Sequence, residues 1–351
     1  MKRKSIIFFS LLYFAASQLS CIEEAVLSSF TEDFETQALI LREIEQRGDY
    51  INSQDLPAFK TASDVFNNLQ DCIILDVRTS EEFNSGHIND AINIHHTTLF
   101  DYVTNSYEVN KDYIIISGSG QSASYYASLF RLYGLKNIYT LQFGMASWHS
   151  DFAGLIIDKT QSPNLINIFN NIDYPKPKFT NLPKLTKPDN SSIENFYTER
   201  IKTMFSEGFA ETSTGNISAI NTVDFEHLSV PGENEFYICL NRDIFFFGKL
   251  GDLNNPGHPK GTVLYECYYP GSLLKSTSYL QTLPADKTLI LYSFSGQLSA
   301  MAVAQLRLLG YNAKSILFGA HAMFYERLLN TLAYSPFVFQ KKLVVNYPYV
   351  K

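Results

Sequence analysis

Cysteine is the residue of this chain best suited to nucleophilic or redox chemistry, because its thiolate is a strong nucleophile. Four cysteines occur in 351 residues: Cys21, Cys72, Cys239 and Cys267. Cys72 and Cys239 lie in apolar, strand-like runs and are predicted to be small buried hydrophobic side chains. Cys267 lies between a strand pattern and a loop pattern, which leaves its exposure open. The spacing neither requires nor excludes a disulfide among Cys72, Cys239 and Cys267.

Adjacent histidines are the next residues that could do chemistry. His95 and His96, with Asp101 nearby, are of the types that bind metal ions. Adjacent side chains diverge on an extended chain, however, which favours a solvated loop. The sequence therefore predicts no metal ion, and none of its motifs indicates a cofactor.

The composition is that of a folded globular protein with room for two domains. Hydrophobic residues make up 45% of the chain and charged residues 18%, which excludes a wholly disordered or low-complexity protein. The formal charge of −7 provides no basic surface for nucleic acid, so the sequence predicts no nucleic-acid partner.

Residues 1–21 have the three zones of an export signal: the basic Lys2-Arg3-Lys4, the apolar run Ile6–Ala16, and a short polar end that closes on Cys21. This arrangement resembles a bacterial lipoprotein signal, which implies that Cys21 becomes a lipidated first residue. Loss of the segment would change the formal charge from −7 to −10, so we expect membrane attachment through acyl chains rather than a basic face. The predicted location is the cell envelope, anchored outside the cytoplasm. A secreted protein and an uncleaved anchor are the alternatives.

A long-period internal repeat divides the rest of the chain into two similar halves. Four short segments of the first half recur in order in the second, at offsets of 171 to 176 residues. They are Gly86-His87 (Gly257-His258), Ser119-Gly120-Gln121 (Ser295-Gly296-Gln297), Arg131-Leu132 (Arg307-Leu308) and Phe143-Gly144 (Phe318-Gly319). Four ordered matches at nearly one spacing indicate two copies of one domain.

Each copy alternates short apolar runs, typical of buried parallel strands, with a helical pattern that a glycine stops. The predicted elements of the first copy are the strands Cys72–Val77, Tyr113–Ile116 and Asn137–Leu141 and the helix Ser122–Tyr133. Those of the second copy are the strands Glu235–Leu240, Thr288–Tyr292 and Ala313–Phe318 and the helix Ser299–Leu309. This alternation predicts an α/β fold in which each domain is a mainly parallel sheet flanked by helices.

The domain boundaries are predicted from the same pattern. A spacer helix is expected over residues 22–45, the first domain over 46–155 and the second over 215–335. The segment 156–214 between them is predicted to be a linker. It is rich in Pro, Asn and Lys over Ile157–Ser192, which is typical of an extended chain, and then has an amphipathic helical pattern over Ser192–Gly208.

The first copy contains the segments Leu75-Asp76-Val77-Arg78, Glu82-Phe83, Gly86-His87-Ile88 and Ala91-Ile92-Asn93. In these segments the first copy resembles the opening strand and following loop of the rhodanese homology domain. The second copy has a weaker version, in Leu240-Asn241-Arg242 and Gly257-His258-Pro259. The resemblance implies two rhodanese-like domains, in which His87 and His258 hold turns and Trp148 packs in the core.

The resemblance also implies that sulfur transfer would use a loop that runs from a strand into a helix and begins with a cysteine. Backbone N–H groups and the helix N-terminus of such a loop stabilise the thiolate and its persulfide. The matching loops here are 117–123 and 293–300, and the position of the family's cysteine falls on Ser117 and Ser293. A serine hydroxyl cannot form a persulfide. A phosphatase is disfavoured too, because Ser122 or Leu298 lies where such enzymes place an arginine.

The main hypothesis is therefore a catalytically silent binding or scaffold protein. Its candidate ligands are a small anion or a thiol compound, and a protein partner is the alternative. The candidate binding residues are Ser117, Gly118, Ser119, Gly120, Gln121, Ser293, Phe294, Ser295, Gly296 and Gln297. A second hypothesis is a sulfurtransferase that uses another thiol, such as Cys267. A third is a structural envelope lipoprotein whose loops bind nothing.

Two aromatic runs, Phe245–Phe247 and Tyr265–Tyr269, are open to more than one interpretation. By analogy with the family, Tyr268-Tyr269-Pro270 is expected near the mouth of the second loop. The runs would line a binding groove, form a contact between the domains, or simply pack in the core.

Overall fold

The computed structural model describes residues 36–46, 58–158, 169–211, 219–220, 232–241, 246, 257–265, 274–332 and 338–351. Cys21 with its predicted signal segment, Cys267 and Tyr268-Tyr269-Pro270 lie outside these residues, as do Phe245 and Phe247. No helix within the described ranges is long and apolar enough to cross a bilayer.

The first half of the chain builds one parallel sheet. Up to residue 170 the elements are α1 Thr36–Gln46, β1 Phe59–Lys60, α2 Ala62–Asn67, β2 Cys72–Asp76, α3 Ser80–Ser85, β3 Ile92–Asn93, α4 His96–Ser106, β4 Asp112–Ile116, α5 Gln121–Tyr133, β5 Ile138–Leu141, α6 Met145–Trp148, α7 Gly154–Ile157 and β6 Phe169–Asn170. The strand order is β1-β5-β4-β2-β3 and every pairing is parallel. Because helices cover both faces, the central strands β2 and β4 are almost wholly apolar.

The second half repeats this architecture. Its elements are α8 Ile193–Glu207, β7 Ala219–Ile220, β8 Glu235–Cys239, β9 His258–Pro259, β10 Val263–Leu264, β11 Thr288–Tyr292, α9 Gln297–Leu308, β12 Ala313–Ile316 and α10 His321–Leu332. The parallel sheet has the order β10-β8-β11-β12-β7. These strands correspond one by one to β3-β2-β4-β5-β1, which is the order of the first sheet read from its other edge. The predicted fold class, two α/β units with parallel sheets and flanking helices, is confirmed.

The two units share one hydrophobic core, in which α5 packs directly against α9. Every residue of α5 from Gln121 to Leu132 is buried, and so is every residue of α9 except Arg307. Each helix is covered by its own sheet on one side and by the other unit on the opposite side, which explains why both are apolar or small nearly all round. The units therefore form one packed body.

The helix α8 of the linker joins both units. Ser192 caps its N-terminus by accepting a hydrogen bond from the Asn195 N–H, and the helix ends at Gly208, as its sequence pattern predicts. The Tyr197 hydroxyl donates to the Leu132 carbonyl oxygen at 2.6 Å in the first unit. On the other side, Arg307 donates to Glu207 at 2.8 Å from the second unit.

The helix α1, which covers part of the predicted spacer, also packs into this core. Ile40 and Ile44 are buried against α8. The Glu45 carboxylate accepts hydrogen bonds from the Ser276 N–H and hydroxyl, at 2.7 and 2.6 Å. Residues 36–46 are thus part of the packed body rather than an isolated connection.

The C-terminal tail returns from the second unit to the first. Val350 and His87 exchange two backbone hydrogen bonds, of 2.8 and 2.9 Å. The Trp148 indole N–H donates to the Pro348 carbonyl oxygen at 3.0 Å, and the Tyr347 ring stacks on Phe66 with centroids 3.9 Å apart. The tail therefore covers the outer face of the first sheet, where Trp148 is buried.

Candidate functional site

The first loop connects the carboxyl end of β4 to the N-terminus of α5. Ser117, the first residue after the strand, is only 2% exposed. Its Oγ accepts hydrogen bonds from the backbone N–H groups of Gly120 at 3.0 Å and Ala123 at 3.4 Å. Gly120 has a φ of +82°, and a Cβ there would lie 2.8 Å from the Leu141 carbonyl oxygen, so this turn requires glycine. The serine hydroxyl thus holds the loop's own backbone.

A carboxylate from the same chain fills the mouth of this loop. Glu211 Oε1 accepts hydrogen bonds from the Ser117 hydroxyl at 2.6 Å, the Ser122 N–H at 2.8 Å and the Ser122 hydroxyl at 2.9 Å. Glu211 Oε2 accepts from the Ser119 N–H at 2.8 Å. These donors surround the N-terminus of α5, where the helix dipole also stabilises negative charge. The loop is therefore an anion site occupied by Glu211.

The end of α8 places Glu211 in this position. The helix terminates at Gly208, whose φ is +73° and where a Cβ would approach the His96 ring to 2.8 Å. Phe209 is then buried, with 4% exposure, and its backbone N–H donates to the Tyr126 hydroxyl at 2.9 Å. Phe209 anchors the short segment that leads from the helix to the carboxylate.

A cavity of about 240 Å³ lies between the first loop and this segment. Besides Ser117 and Glu211, its lining includes Arg78, His95 and His96. The Arg78 guanidinium donates to both carboxylate oxygens of the buried Asp76, at 2.6 to 3.1 Å. Arg78 is therefore an ion-pair partner of Asp76 inside the cavity wall, rather than an unpaired cation that awaits an anion.

The expectation that His95 and His96 lie in a solvated loop is confirmed for His95, which is exposed and precedes the helix, and is wrong for His96. The chain is helical from His96 onward, and His95 caps α4 by accepting the Thr97 N–H at 3.4 Å. The half-buried His96 donates from Nδ1 to the Phe205 carbonyl oxygen at 2.6 Å. Burial lowers the pKa of His96, which favours the neutral ring. The described residues contain no group of three or more His, Cys, Asp or Glu side chains arranged to hold a metal ion.

The second loop is held by hydroxyl groups. Ser293, which follows β11 as Ser117 follows β4, is 1% exposed. Its Oγ accepts the Ser299 N–H at 3.2 Å and lies 3.3 Å from the Ser299 Oγ. The Ser299 hydroxyl is also 2.8 Å from that of Ser315. Where the first loop has Ser122 as a donor, the second has the buried, apolar Leu298.

One glutamine side chain from each loop crosses into the opposite unit. Gln121 reaches into the second unit, where Nε2 donates to Ser315 Oγ and the Ile316 carbonyl oxygen at 3.0 and 2.9 Å, and Oε1 accepts the Phe318 N–H at 2.9 Å. Gln297 reaches back in the same way, and its Oε1 accepts the Phe143 N–H at 3.1 Å. These predicted ligand-binding residues are thus in contact with the opposite unit.

The described thiols are far less reactive than an activated cysteine. Cys72 and Cys239 are both free. Burial raises the pKa of Cys239 to about 12, and burial with the nearby Asp112 carboxylate raises the pKa of Cys72. Both remain protonated thiols near neutral pH, which disfavours either as a nucleophile.

The predicted turn histidines are held by the backbone. His87 Nδ1 contacts the Phe83 carbonyl oxygen at 3.0 Å, and His258 Nδ1 contacts that of Phe246 at 2.9 Å. Both rings also stack on those phenylalanines, with centroids 3.7 and 3.6 Å apart. These contacts fit a structural role for the two histidines.

The sequence drew attention to Ser117 and its loop but missed Glu211. Glu211 is 89 residues or more from its three partners, and no motif in the sequence links them. The usable signal was limited to the helix α8, whose capped end turns the chain back toward the loop. Arg78 was part of the opening motif, but its place in the cavity wall was not inferred.

Comparison with known proteins identifies the first unit. Residues 61–151 match the model of the rhodanese-like domain. An uncharacterized protein of Buchnera aphidicola is 33% identical over 85 residues, which are 24% of this chain and 58% of that protein. The thiosulfate sulfurtransferase GlpE of Shewanella oneidensis is 26% identical over 76 residues, 22% of this chain and 74% of that protein. The match thus spans less than two thirds of the Buchnera protein.

Solved structures of the same type are also similar. A rhodanese-related protein from Thermoplasma volcanium has 28% sequence identity and a TM-score of 0.24, over 26% of this chain and 89% of that chain. A thiosulfate sulfurtransferase from Pseudomonas aeruginosa has 13% identity and a TM-score of 0.26, over 82% of this chain and 47% of that chain. Residues 61–151, which carry Ser117 and the first loop, are a rhodanese-like domain.

Proposed function

We propose that this protein is a catalytically silent pair of rhodanese-like domains that acts as a binding or scaffold module. The proposal rests on one observation: Ser117 and Ser293 have a hydroxyl oxygen at the two loop positions where sulfur transfer would need a cysteine sulfur. Both hydroxyls are buried and bonded within the protein, with exposures of 2% and 1%. Their hydrogen bonds stabilise the loops.

The chemistry of sulfur transfer supports silence. In that reaction a thiolate attacks the outer sulfur of thiosulfate, a persulfide forms and sulfite leaves, so the attacking atom must be sulfur. Among the described thiols, Cys239 is completely buried with a pKa of about 12, and Cys72 is also shifted toward the protonated form. Neither meets the requirement for an exposed thiolate.

The scaffold part of the proposal rests on the packing of the two units. The second unit repeats the strand order of the first, and we take it as a second rhodanese-like copy. The Gln121 and Gln297 side chains cross between the loops, and α5 and α9 bury each other. A rigid pair of units of this kind is better suited to presenting a surface to a partner than to a reaction in which a loop must open during turnover.

The proposed location is the cell envelope, with Cys21 as a lipidated anchor. Labelling cells with radioactive palmitate tests it: the wild-type chain should carry label and Cys21→Ala should not. Label that persists in Cys21→Ala would exclude this anchor, and absence of label from both would replace lipidation with a secreted protein or an uncleaved anchor.

An assay of thiosulfate:cyanide sulfurtransferase activity tests the proposed silence. We expect thiocyanate to form with the wild-type protein no faster than in buffer without protein. Production above that rate that disappears in Cys267→Ala would replace our proposal with a sulfurtransferase that uses an unusual thiol. Activity that survives Cys267→Ala would also refute silence and would point to a different nucleophile.

Restoring a thiol tests why the loop is silent. In Ser117→Cys, the new sulfur would face the Glu211 carboxylate, which is 2.6 Å from the present hydroxyl, and negative charge at that range raises a thiol pKa. We therefore expect little persulfide from Ser117→Cys and more from Ser117→Cys with Glu211→Ala, measured by cyanolysis. Equal persulfide in both variants would show that Glu211 does not suppress the thiolate. No persulfide in either would favour a loop that cannot support the reaction.

A further inference from the structure

We propose that Glu211 is an intrachain ligand of the first loop, which keeps external anions out of that loop for as long as its carboxylate stays in place. The site would accept a small carboxylate or oxyanion once the Glu211 side chain moves away. The inference goes beyond the proposed function, because a silent loop could equally well have stood open.

The carboxylate of Glu211 is fully bonded to the loop. Both oxygens of the Glu211 carboxylate are used, in four hydrogen bonds of 2.6 to 2.9 Å. The donors belong to Ser117, Ser119 and Ser122, which are 2 to 6% exposed. Charge-assisted bonds to buried donors are the strong class of hydrogen bond. An incoming anion would have to replace all four.

The carboxylate comes from a distant part of the chain. Glu211 is not part of the loop; it arrives from the linker, 89 to 94 residues farther along the chain. A carboxylate that reaches the loop from a separate segment occupies the position that an external anionic ligand would take. The adjoining cavity of about 240 Å³ gives space for a small molecule beside the carboxylate.

The segment that carries Glu211 has its own anchor, Phe209. Phe209 is buried and its ring lies 5.3 Å from that of Tyr125, while its N–H donates to the Tyr126 hydroxyl at 2.9 Å. The preceding residues belong to α8, where Glu207 pairs with Arg307 of the second unit. Departure of Glu211 therefore does not require unfolding of the helix, since Phe209 can hold the segment nearby.

Removal of the carboxylate provides the test, with acetate as the probe because it reproduces the missing group. Glu211→Ala should bind acetate saturably in isothermal titration calorimetry. At ten times its Kd, acetate should raise the folding equilibrium constant of this variant about 11-fold. Wild type should show neither effect, and sodium chloride at equal ionic strength should not reproduce them.

The matched control is Glu199→Ala, on the same helix. Glu199 makes a surface ion pair with Lys202 at 3.3 Å, and its side chain is 69% exposed. Its removal should leave the protein without acetate binding, as in wild type. Saturable binding by wild type or by Glu199→Ala would overturn the proposal, because the loop would then be open or the acetate bound elsewhere.

A second variant covers the case in which Glu211→Ala fails to fold. Glu211→Gln keeps the size of the side chain but removes the charge. Its amide NH₂ group, a hydrogen-bond donor, would face the N–H and hydroxyl donors of the loop. This variant should be less stable than wild type, whereas stability equal to wild type would refute a role for the carboxylate. A folded Glu211→Ala that binds no acetate would refute the inference as well. Sulfurtransferase activity in wild type would refute only the proposed silence, so the two failures are distinguishable.

Discussion

The glutamine exchange between the loops allows a quantitative prediction about how the two units are held together. Gln121→Ala should destabilise the protein by about 3 kcal/mol. Gln121 is 0% exposed and makes three hydrogen bonds of 2.9 to 3.0 Å with the opposite unit. Its surroundings cannot be rehydrated without separation of α5 from α9.

The magnitude follows from what each partner of Gln121 would lose. Ser315 keeps its contact with Ser299, at 2.8 Å, and the Ile316 carbonyl oxygen still accepts the Gly319 N–H at 3.1 Å. The N–H of Phe318 loses its acceptor, which costs about 1–3 kcal/mol for a buried donor. The space left by the deleted amide adds roughly 1 kcal/mol more. The two costs add to about 3 kcal/mol, and most of this comes from the Phe318 N–H that has lost its acceptor.

Urea unfolding followed by the fluorescence of Trp148 measures this effect, since Trp148 is the single tryptophan of the chain and lies in the unit that carries Gln121. The matched control is Gln70→Ala, at an exposed glutamine, which should change the stability by less than about 0.5 kcal/mol. A Gln121→Ala variant that loses no more stability than Gln70→Ala would refute the reasoning. The exchange would then contribute nothing measurable to the association of the units.

Three further predictions concern the backbone, the pH and the tail. Gly120→Ala should destabilise by roughly 2 kcal/mol or more, because φ is +82° and a Cβ would approach backbone atoms to 2.8 and 2.9 Å. Gly154→Ala, where the nearest atom would be at 3.7 Å, should be neutral or slightly stabilising in the same urea titration. Burial lowers the pKa of His321 to about 3. The unfolded chain therefore takes up a proton below about pH 6.5 that the folded protein refuses, and stability should fall by about 1.4 kcal/mol per pH unit from there toward the folded pKa. His321→Gln should flatten that part of the pH profile of urea midpoints, and an unchanged slope would exclude His321 as its source. Deletion of residues 346–351 should shift the emission of Trp148 to longer wavelength, because the indole is 1% exposed and donates into that tail. Unchanged emission would mean that other residues bury it.

The central elements of each unit could be predicted because their signals are local. The strand Thr288–Tyr292 was predicted with its observed bounds, and the helix Ser122–Tyr133 starts just one residue earlier, at Gln121. Continuous apolar runs and a stopping glycine are sufficient for such elements. Strands of two residues, such as β1 and β3, carry too little pattern to be recognised, since their position depends on the sheet that they complete.

Contacts between distant parts of the chain could not be predicted from the sequence. His96 was assigned to a solvated loop because adjacent side chains diverge on an extended chain, but the Phe205 carbonyl oxygen, 109 residues away, holds it half-buried. Gln121 and Gln297 were predicted as ligand-binding residues because they belong to the loops. Their amides satisfy backbone groups of the opposite unit, a contact that only the packing of α5 on α9 makes visible.

Ser117 and Glu211 form a chemically consistent pair, and each explains the presence of the other. A hydroxyl can accept the N–H groups of its own loop and still donate its proton to a carboxylate at 2.6 Å. A thiolate in the same position has no proton to donate and would repel that carboxylate at close range. Conversely, a loop with serine but without Glu211 would leave the N–H groups of Ser119 and Ser122 directed at a buried vacancy. Serine therefore permits the internal carboxylate, and the carboxylate satisfies the donors that an anionic ligand would otherwise occupy.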